Sequence, residues 1–145
     1  MFKHILVPVD GSATALQAVD TAIALAKVHG SRVTAVFVID PYPFTGVGTD
    51  FAYGQADYLS AATAEANLAI KAAKGQFAAA GVAVDSSVIE SHSVWRGVVE
   101  TADAADVDLI VMGSHGRKGL EKLVLGSVTQ AVLSHTKRSV LVVRD

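Results

Sequence analysis

Four short apolar runs and one weaker alternating stretch, separated by segments of helical periodicity, organise the chain. Ile5-Leu6-Val7-Pro8-Val9 is a continuous run of mostly branched residues, the pattern of a strand buried on both faces. Pro8 has no N–H to give to a central ladder, so the strand should end there. Asp10-Gly11-Ser12 follows as a turn with Ser12 as N-cap. Leu16, Val19, Ile23 and Ala26 then share one helical face, and Gly30 sits where a C-cap glycine belongs. Residues 33–39 form a second strand, broken by Asp40-Pro41-Tyr42-Pro43, and no regular pattern returns until about Ala56. A loop of that length, residues 41–55, is uncommon in a compact domain and is often functional. A long alanine-rich helix carries Leu59, Ala62, Ala66, Ala69, Ala73, Phe77 and Ala80 at helical spacing and closes at Gly81. Residues 82–89 alternate weakly, as an edge strand does. Residues 93–105 read as a third helix, Leu109-Ile110-Val111-Met112 as a fourth strand, 127–136 as a last helix and 140–143 as a last strand.

Strands alternating with helices imply a parallel sheet built by right-handed crossovers, with helices on both faces. The first and fourth strands are the most uniformly apolar and belong in the middle. Open sheets of this kind bind ligands beyond the C-terminal ends of their strands, where the strand order reverses. The loops there begin at Asp10 and at Gly113.

Composition narrows the setting. The chain has 145 residues, 51% of them apolar and 18% charged, which fits one compact domain over residues 1–145. A net charge of −2 gives no basic face of the kind nucleic acid requires. There is no cysteine for a disulfide framework. No run approaches the roughly 18 apolar residues of a membrane span, and the N-terminal run is too short for a signal peptide. The expectation is a cytoplasmic protein with no nucleic-acid or membrane partner.

Between Gly113 and Ser127 the chain reads GSHGRKGLEKLVLGS. Gly113 and Gly116 remove Cβ atoms where a polyphosphate would approach the backbone. Gly126-Ser127 opens a helix whose free N–H groups and dipole favour an anion. Arg117, Lys118 and Lys122 supply positive charge between them. A glycine-rich turn before an ordinary N-cap is the alternative, and position after a central strand shifts the balance toward phosphate. The segment has neither the Walker spacing nor the dinucleotide fingerprint. Ser114 has no Gly-x-Ser-x-Gly elbow and no evident relay, so it is not read as a nucleophile. His115 reads as an exposed loop residue near phosphate, and His4, His29, His92 and His135 show no metal-ligand spacing. Trp95 reads as a packing residue. Tyr42, Phe44, Phe51, Tyr53 and Tyr58 gather around the long loop, covering a ligand, a partner or the loop itself.

The pattern Gly113-x2-Gly116-x9-Gly126-Ser127, preceded by Asp108 to Met112, resembles the ATP-binding branch of the universal stress protein family. The opening Ile5 to Ser12 and the closing Val140-Leu141-Val142-Val143 are similar to that family's ends. The resemblance implies a Rossmann-like, adenine nucleotide alpha hydrolase-like sheet of five parallel strands in the order 3-2-1-4-5, usually dimeric. It implies ATP at the crevice, with Pro8 and Val9 lining the adenine side and Asp10 accepting from the ribose hydroxyls. Val38 would pair with adenine through its backbone, and Met112 and Gly113 would lie beside the ribose and first phosphate. Gly116, Gly126, Ser127 and Val128 would hold the phosphates, with Arg117 near them. Mg²⁺ or Mn²⁺ would bridge the phosphates, held by phosphate oxygens and water. Ser91-His92-Ser93-Val94-Trp95 departs from the family's usual Gly-Asx-Pro start of the third helix.

Asp10 keeps a second reading as a turn former before Gly11. Three functions stand open: an ATP-binding regulatory module, a slow ATPase or phosphotransfer enzyme, and a nucleotide-free dimeric or chaperone-like scaffold. The glycine motif favours the first. Glu121 is the one carboxylate of the loop, which weakens the second. The apolar last strand would be an exposed sheet edge in a monomer, and a homodimer through it is expected.

Overall fold

The computed structural model describes residues 1–41, 48–116 and 125–144, with the backbone alone for 48–53. The elements are β1 (His4–Pro8), α1 (Ala13–His29), β2 (Arg32–Ile39), α2 (Gly48–Ala79), β3 (Asp85–Glu90), α3 (Val94–Ala104), β4 (Leu109–Gly113), α4 (Ser127–His135) and β5 (Ser139–Val143). All strand pairs are parallel, and the sheet order is β3-β2-β1-β4-β5. The order, the single α/β sheet and the central pair β1–β4 are as the sequence implies.

Alternation along the strands divides the core in two. Ile5, Val7, Val9, Val33, Ala35, Phe37, Ile39, Leu109 and Val111 face α1 and α2. Leu6, Val36, Val38, Ile110 and Met112 face the other layer, under α3 and α4. Strands that bury both faces carry no polar alternation, which is why β1 and β4 read as unbroken apolar runs. The edge strand β3 exposes every second or third residue.

Local chemistry sets the boundaries of α1. Ser12 has an extended backbone, and its hydroxyl accepts the Ala15 N–H at 3.1 Å. At the other end Gly30 adopts φ 67° and donates its N–H to the Ala26 carbonyl at 2.8 Å. Ala18, Val19, Ala22, Ile23 and Ala26 lie between these caps and are buried against the sheet.

The expected irregular stretch over 41–55 is corrected in its second half. Helix α2 already begins at Gly48 and runs for 32 residues. Gly48 and Gly54 lower the local helix propensity and hide the pattern, but the apolar face that follows carries the helix through them. Its floor is Ala66, Ala69, Ile70, Ala73 and Phe77. Tyr58 ties it back to the end of β2, its hydroxyl donating to the Asp40 carbonyl at 2.8 Å. Tyr42 and Phe44 lie outside the described residues. Smaller corrections move the start of β1 to His4 and the start of β3 to Asp85. Among the described residues no helix is long and apolar enough to cross a membrane.

Candidate functional site

The C-terminal ends of β1 and β4 lie side by side, and the strands pair in register at Ile5–Leu109 and Leu6–Ile110 before parting. Their following chains leave to opposite layers, α1 on one face and α4 on the other. This is the reversal point of the sheet, where open α/β folds bind ligands in a crevice.

Asp10 stands at the β1 side of it. One carboxylate oxygen, Oδ1, accepts the Ser12 N–H at 2.9 Å, an Asx turn that also sets up the α1 cap. Gly11 adopts φ 84° to complete the turn. The turn role of Asp10 is therefore present, and the other oxygen, Oδ2, lies toward Gly116. A Cβ at Gly116 would fall 2.5 Å from Oδ2. Gly116 thus brings the β4 loop directly against Asp10.

The other two motif glycines serve close packing within the protein. A Cβ at Gly113 would meet Thr14 Cγ2 at 2.6 Å and the Thr14 backbone at 3.2 Å, so the first turn of α1 rests on the end of β4. A Cβ at Gly126 would come within 3.1 Å of the His115 backbone. Gly126 in turn donates its N–H to the Ser114 carbonyl at 2.7 Å. The missing side chains let β4, α1 and the start of α4 approach closely, a tight frame at the reversal point of the sheet.

Helix α4 begins in that frame with no side-chain cap among the described residues. The first N–H groups of any helix lack an intrahelical acceptor, and Gly126 at the N-cap has no side chain to offer one. The N–H groups of Ser127 and Val128 belong to this first turn. Thr129 holds the turn in place, its hydroxyl donating to the Gly113 carbonyl at 2.9 Å.

Val38 faces the same opening through its backbone. Val36 accepts the Val9 N–H at 2.8 Å, while Ile39 accepts the Ser91 N–H at 2.9 Å. Successive peptide groups of a strand point to opposite neighbours, so Val38 follows Val36 and points to the β1 side. The last β1–β2 pair is Pro8–Val36, and continuing that register sets Val38 across from Asp10. The side chains of Val9, Val38 and Met112 are buried in the core, which leaves their main-chain groups to face a ligand. Pro8 and Val128 are half-buried. Arg117, Lys118, Glu121 and Lys122 lie outside the described residues.

The sequence did not single out Thr14 and Thr129, both 2% exposed. A buried threonine in the first turn of a helix is the signal that would have found them. The sequence raises only a nucleophile's role for Ser114 and does not support it. It is fully buried, and its hydroxyl has no hydrogen-bond partner among the described residues.

The fold and this end of the sheet define an open α/β protein whose reversal point is flanked by a carboxylate turn and by a helix N-terminus with no side-chain cap among the described residues. The universal stress protein family model matches residues 1–144, and the chain belongs to that family. A universal stress protein of Methanocaldococcus jannaschii is 34% identical over 99% of this chain and 83% of its own length. The solved structure of a universal stress protein from Lactobacillus plantarum is 27% identical, with a TM-score of 0.86 over 99% of this chain and 98% of that one. A universal stress protein solved in complex with cAMP is 26% identical, with a TM-score of 0.63 over 99% and 97% of the two chains.

Proposed function

We propose that this chain is a regulatory module that binds an adenine nucleotide, with ATP as its ligand, in the crevice between the ends of β1 and β4. The observation that carries the reading is the start of α4, which has no side-chain cap among the described residues and is fastened by the Gly126–Ser114 hydrogen bond next to the Gly116 segment that meets Asp10. Free N–H groups at a helix N-terminus suit phosphate oxygens. The Asp10 carboxylate suits hydroxyl donors, since an anionic acceptor repels phosphate and attracts O–H groups. Val38 supplies main-chain groups for the adenine edge, between Pro8 and Val9 on one side and Met112 on the other. Gly113, Gly116, Gly126, Ser127 and Val128 present backbone to the phosphates, and Arg117 adds charge. The cAMP complex of a relative supports an adenine nucleotide as the ligand class. Mg²⁺ or Mn²⁺ would arrive with the nucleotide and offset its phosphate charge. The same reading covers residues 1–145 as one nucleotide-binding domain, a cytoplasmic location, and a homodimer through β5, where Leu141 is 38% exposed on the sheet edge.

Calorimetric titration of the purified protein, stripped of nucleotide, with Mg-ATP, AMP and cAMP tests the reading. Saturable binding near one site per chain, tightest for Mg-ATP, is expected. A folded, stripped protein that binds none of the three would end the nucleotide reading and leave the scaffold alternative. Turnover measured on the same sample distinguishes a regulatory module from a slow ATPase, and the expected rate is near background.

A further inference from the structure

Three elements meet at Ser114, and phosphate binding uses only part of that junction. The Ser114 N–H donates to the carbonyl of Val143, the last residue of β5, at 2.8 Å. Its own carbonyl accepts the N–H of Gly126, the N-cap of α4, at 2.7 Å. A single residue therefore joins the open end of α4 to the closing end of the edge strand. Its hydroxyl is buried with no partner among the described residues. A buried hydroxyl left unbonded is costly, so an arrangement that supplies a partner is favoured over this one.

We propose that Ser114 is a positioning residue that couples occupancy of the anion cradle to the β5 edge, its backbone carrying the linkage and its hydroxyl strengthening it. The inference rests on the nucleotide reading above. An anion held by the first N–H groups of α4 draws that turn, and Gly126 with it, toward the ligand. Gly126 is bonded to Ser114, Ser114 is bonded to Val143, and the Thr129–Gly113 bond makes the same turn rigid against β4. A ligand acceptor that reached the Ser114 hydroxyl would supply the partner it lacks among the described residues. Filling the cradle therefore fastens β5, whose other edge has no strand beside it among the described residues. Linkage makes the effect reciprocal, so whatever holds β5 in place raises nucleotide affinity.

Residue-resolved amide hydrogen exchange on the stripped full chain, with and without saturating Mg-ATP, is the test. Exchange should slow on the order of tenfold through residues 139–143 as well as at Ser114 and Gly126. Slowing confined to residues 8–12, 113–116 and 126–128, with β5 unchanged, would overturn the coupling and leave nucleotide binding standing. Absence of calorimetric binding would instead remove both. Ser114→Ala keeps the two backbone bonds and deletes the hydroxyl. It should hold or raise the nucleotide-free Tm while shrinking the nucleotide-induced rise in Tm, and Ser114→Thr should restore that rise. An undiminished rise in Ser114→Ala would show that the hydroxyl takes no part.

Discussion

Helices α1 and α4 both begin at the crevice, one after each of the two central strands, yet their first turns are finished differently. At α1 the Ser12 hydroxyl accepts the Ala15 N–H and Asp10 accepts the Ser12 N–H, so the turn is closed by its own side chains. At α4 the N-cap is Gly126, with no side chain to close anything. A helix end that satisfies itself contributes stability, and one that does not is left to a ligand or to water. Helix α3 also starts without a side-chain cap, at Ser93, and Gly97 seats it over Val38 and Ile89. An open N-terminus is therefore not enough for a site. What distinguishes α4 is the tight frame of Gly113, Gly116 and Ser114 beside it, with Asp10 against Gly116.

The largest effect should come from the frame itself. Gly113→Val drives a branched side chain into Thr14, where even a Cβ would lie 2.6 Å from Cγ2. Overpacking of this kind costs about 2–3 kcal/mol, which thermal denaturation should show as a Tm lower by roughly 5–10 °C. A Tm within a degree of wild type would mean that α1 does not rest on β4 as described. The variant is consequently a poor probe of binding, since any loss of affinity would follow from the distorted fold.

Gly126→Asp converts the open turn into a closed one. Its carboxylate would accept the α4 N–H groups and place a negative charge where an anion should sit. The new Cβ approaches the His115 backbone at 3.1 Å, so the gain from capping is partly cancelled and stability should change by less than about 1 kcal/mol. Affinity for Mg-ATP should fall on the order of 100-fold or more. Wild-type affinity in calorimetry would show that the start of α4 is not the anion site.

Asp10→Asn sharpens the comparison from the α1 side. The amide oxygen can still accept the Ser12 N–H, so the turn and the cap survive, while the charge that favours hydroxyl donors is lost. Binding should weaken about tenfold, consistent with the greater strength of charge-assisted hydrogen bonds, with little change in Tm. An unchanged dissociation constant would leave Asp10 as a turn former only. Ser12→Ala does the converse, costing about 1 kcal/mol of stability through the lost cap with affinity unchanged. A loss of binding larger than the loss of stability would show that the two helix ends are not separable.

Much of this arrangement is legible in the sequence because it is set locally. Pro8 ends a strand, Ser12 caps and Gly30 terminates a helix by rules that act over a few residues. The unbroken apolar runs of β1 and β4 mark central strands because both of their faces are covered. The start of α2 at Gly48 is hidden, since its glycines argue against a helix that only the later apolar face sustains. The reason for Gly113 is equally hidden, because Thr14 lies on an element brought there by the crossover. The spacing of the glycines identifies the loop, but which neighbour each glycine accommodates is a property of the packed fold. The environment of the Ser114 hydroxyl has no local signature at all.

The smallest expected effect lies at the opposite end of the sheet, where a carboxylate closes a strand start as Ser12 closes a helix. Asp108 accepts the Lys3 N–H at 2.8 Å and the His4 N–H at 3.0 Å. Burial pushes its pKa up, but the backbone hydrogen bonds from Lys3, His4 and Asp108 itself, with the charge of His4, outweigh this and leave it below the usual value. A carboxyl depressed on folding contributes stability that is present above its unfolded pKa and is lost as pH falls through the folded one. Because Asp108 is only half-buried, solvent screens the effect and its magnitude should stay below about 1 kcal/mol. Denaturant titrations of wild type and Asp108→Asn should therefore differ at pH 7 and converge as pH falls below the ordinary carboxylate range, with nucleotide affinity at pH 7 the same in both. A gap in stability that persists unchanged into acid would mean that the amide's shape, and not the lost charge, makes the difference. A change in affinity would mean that the two ends of the sheet are not independent.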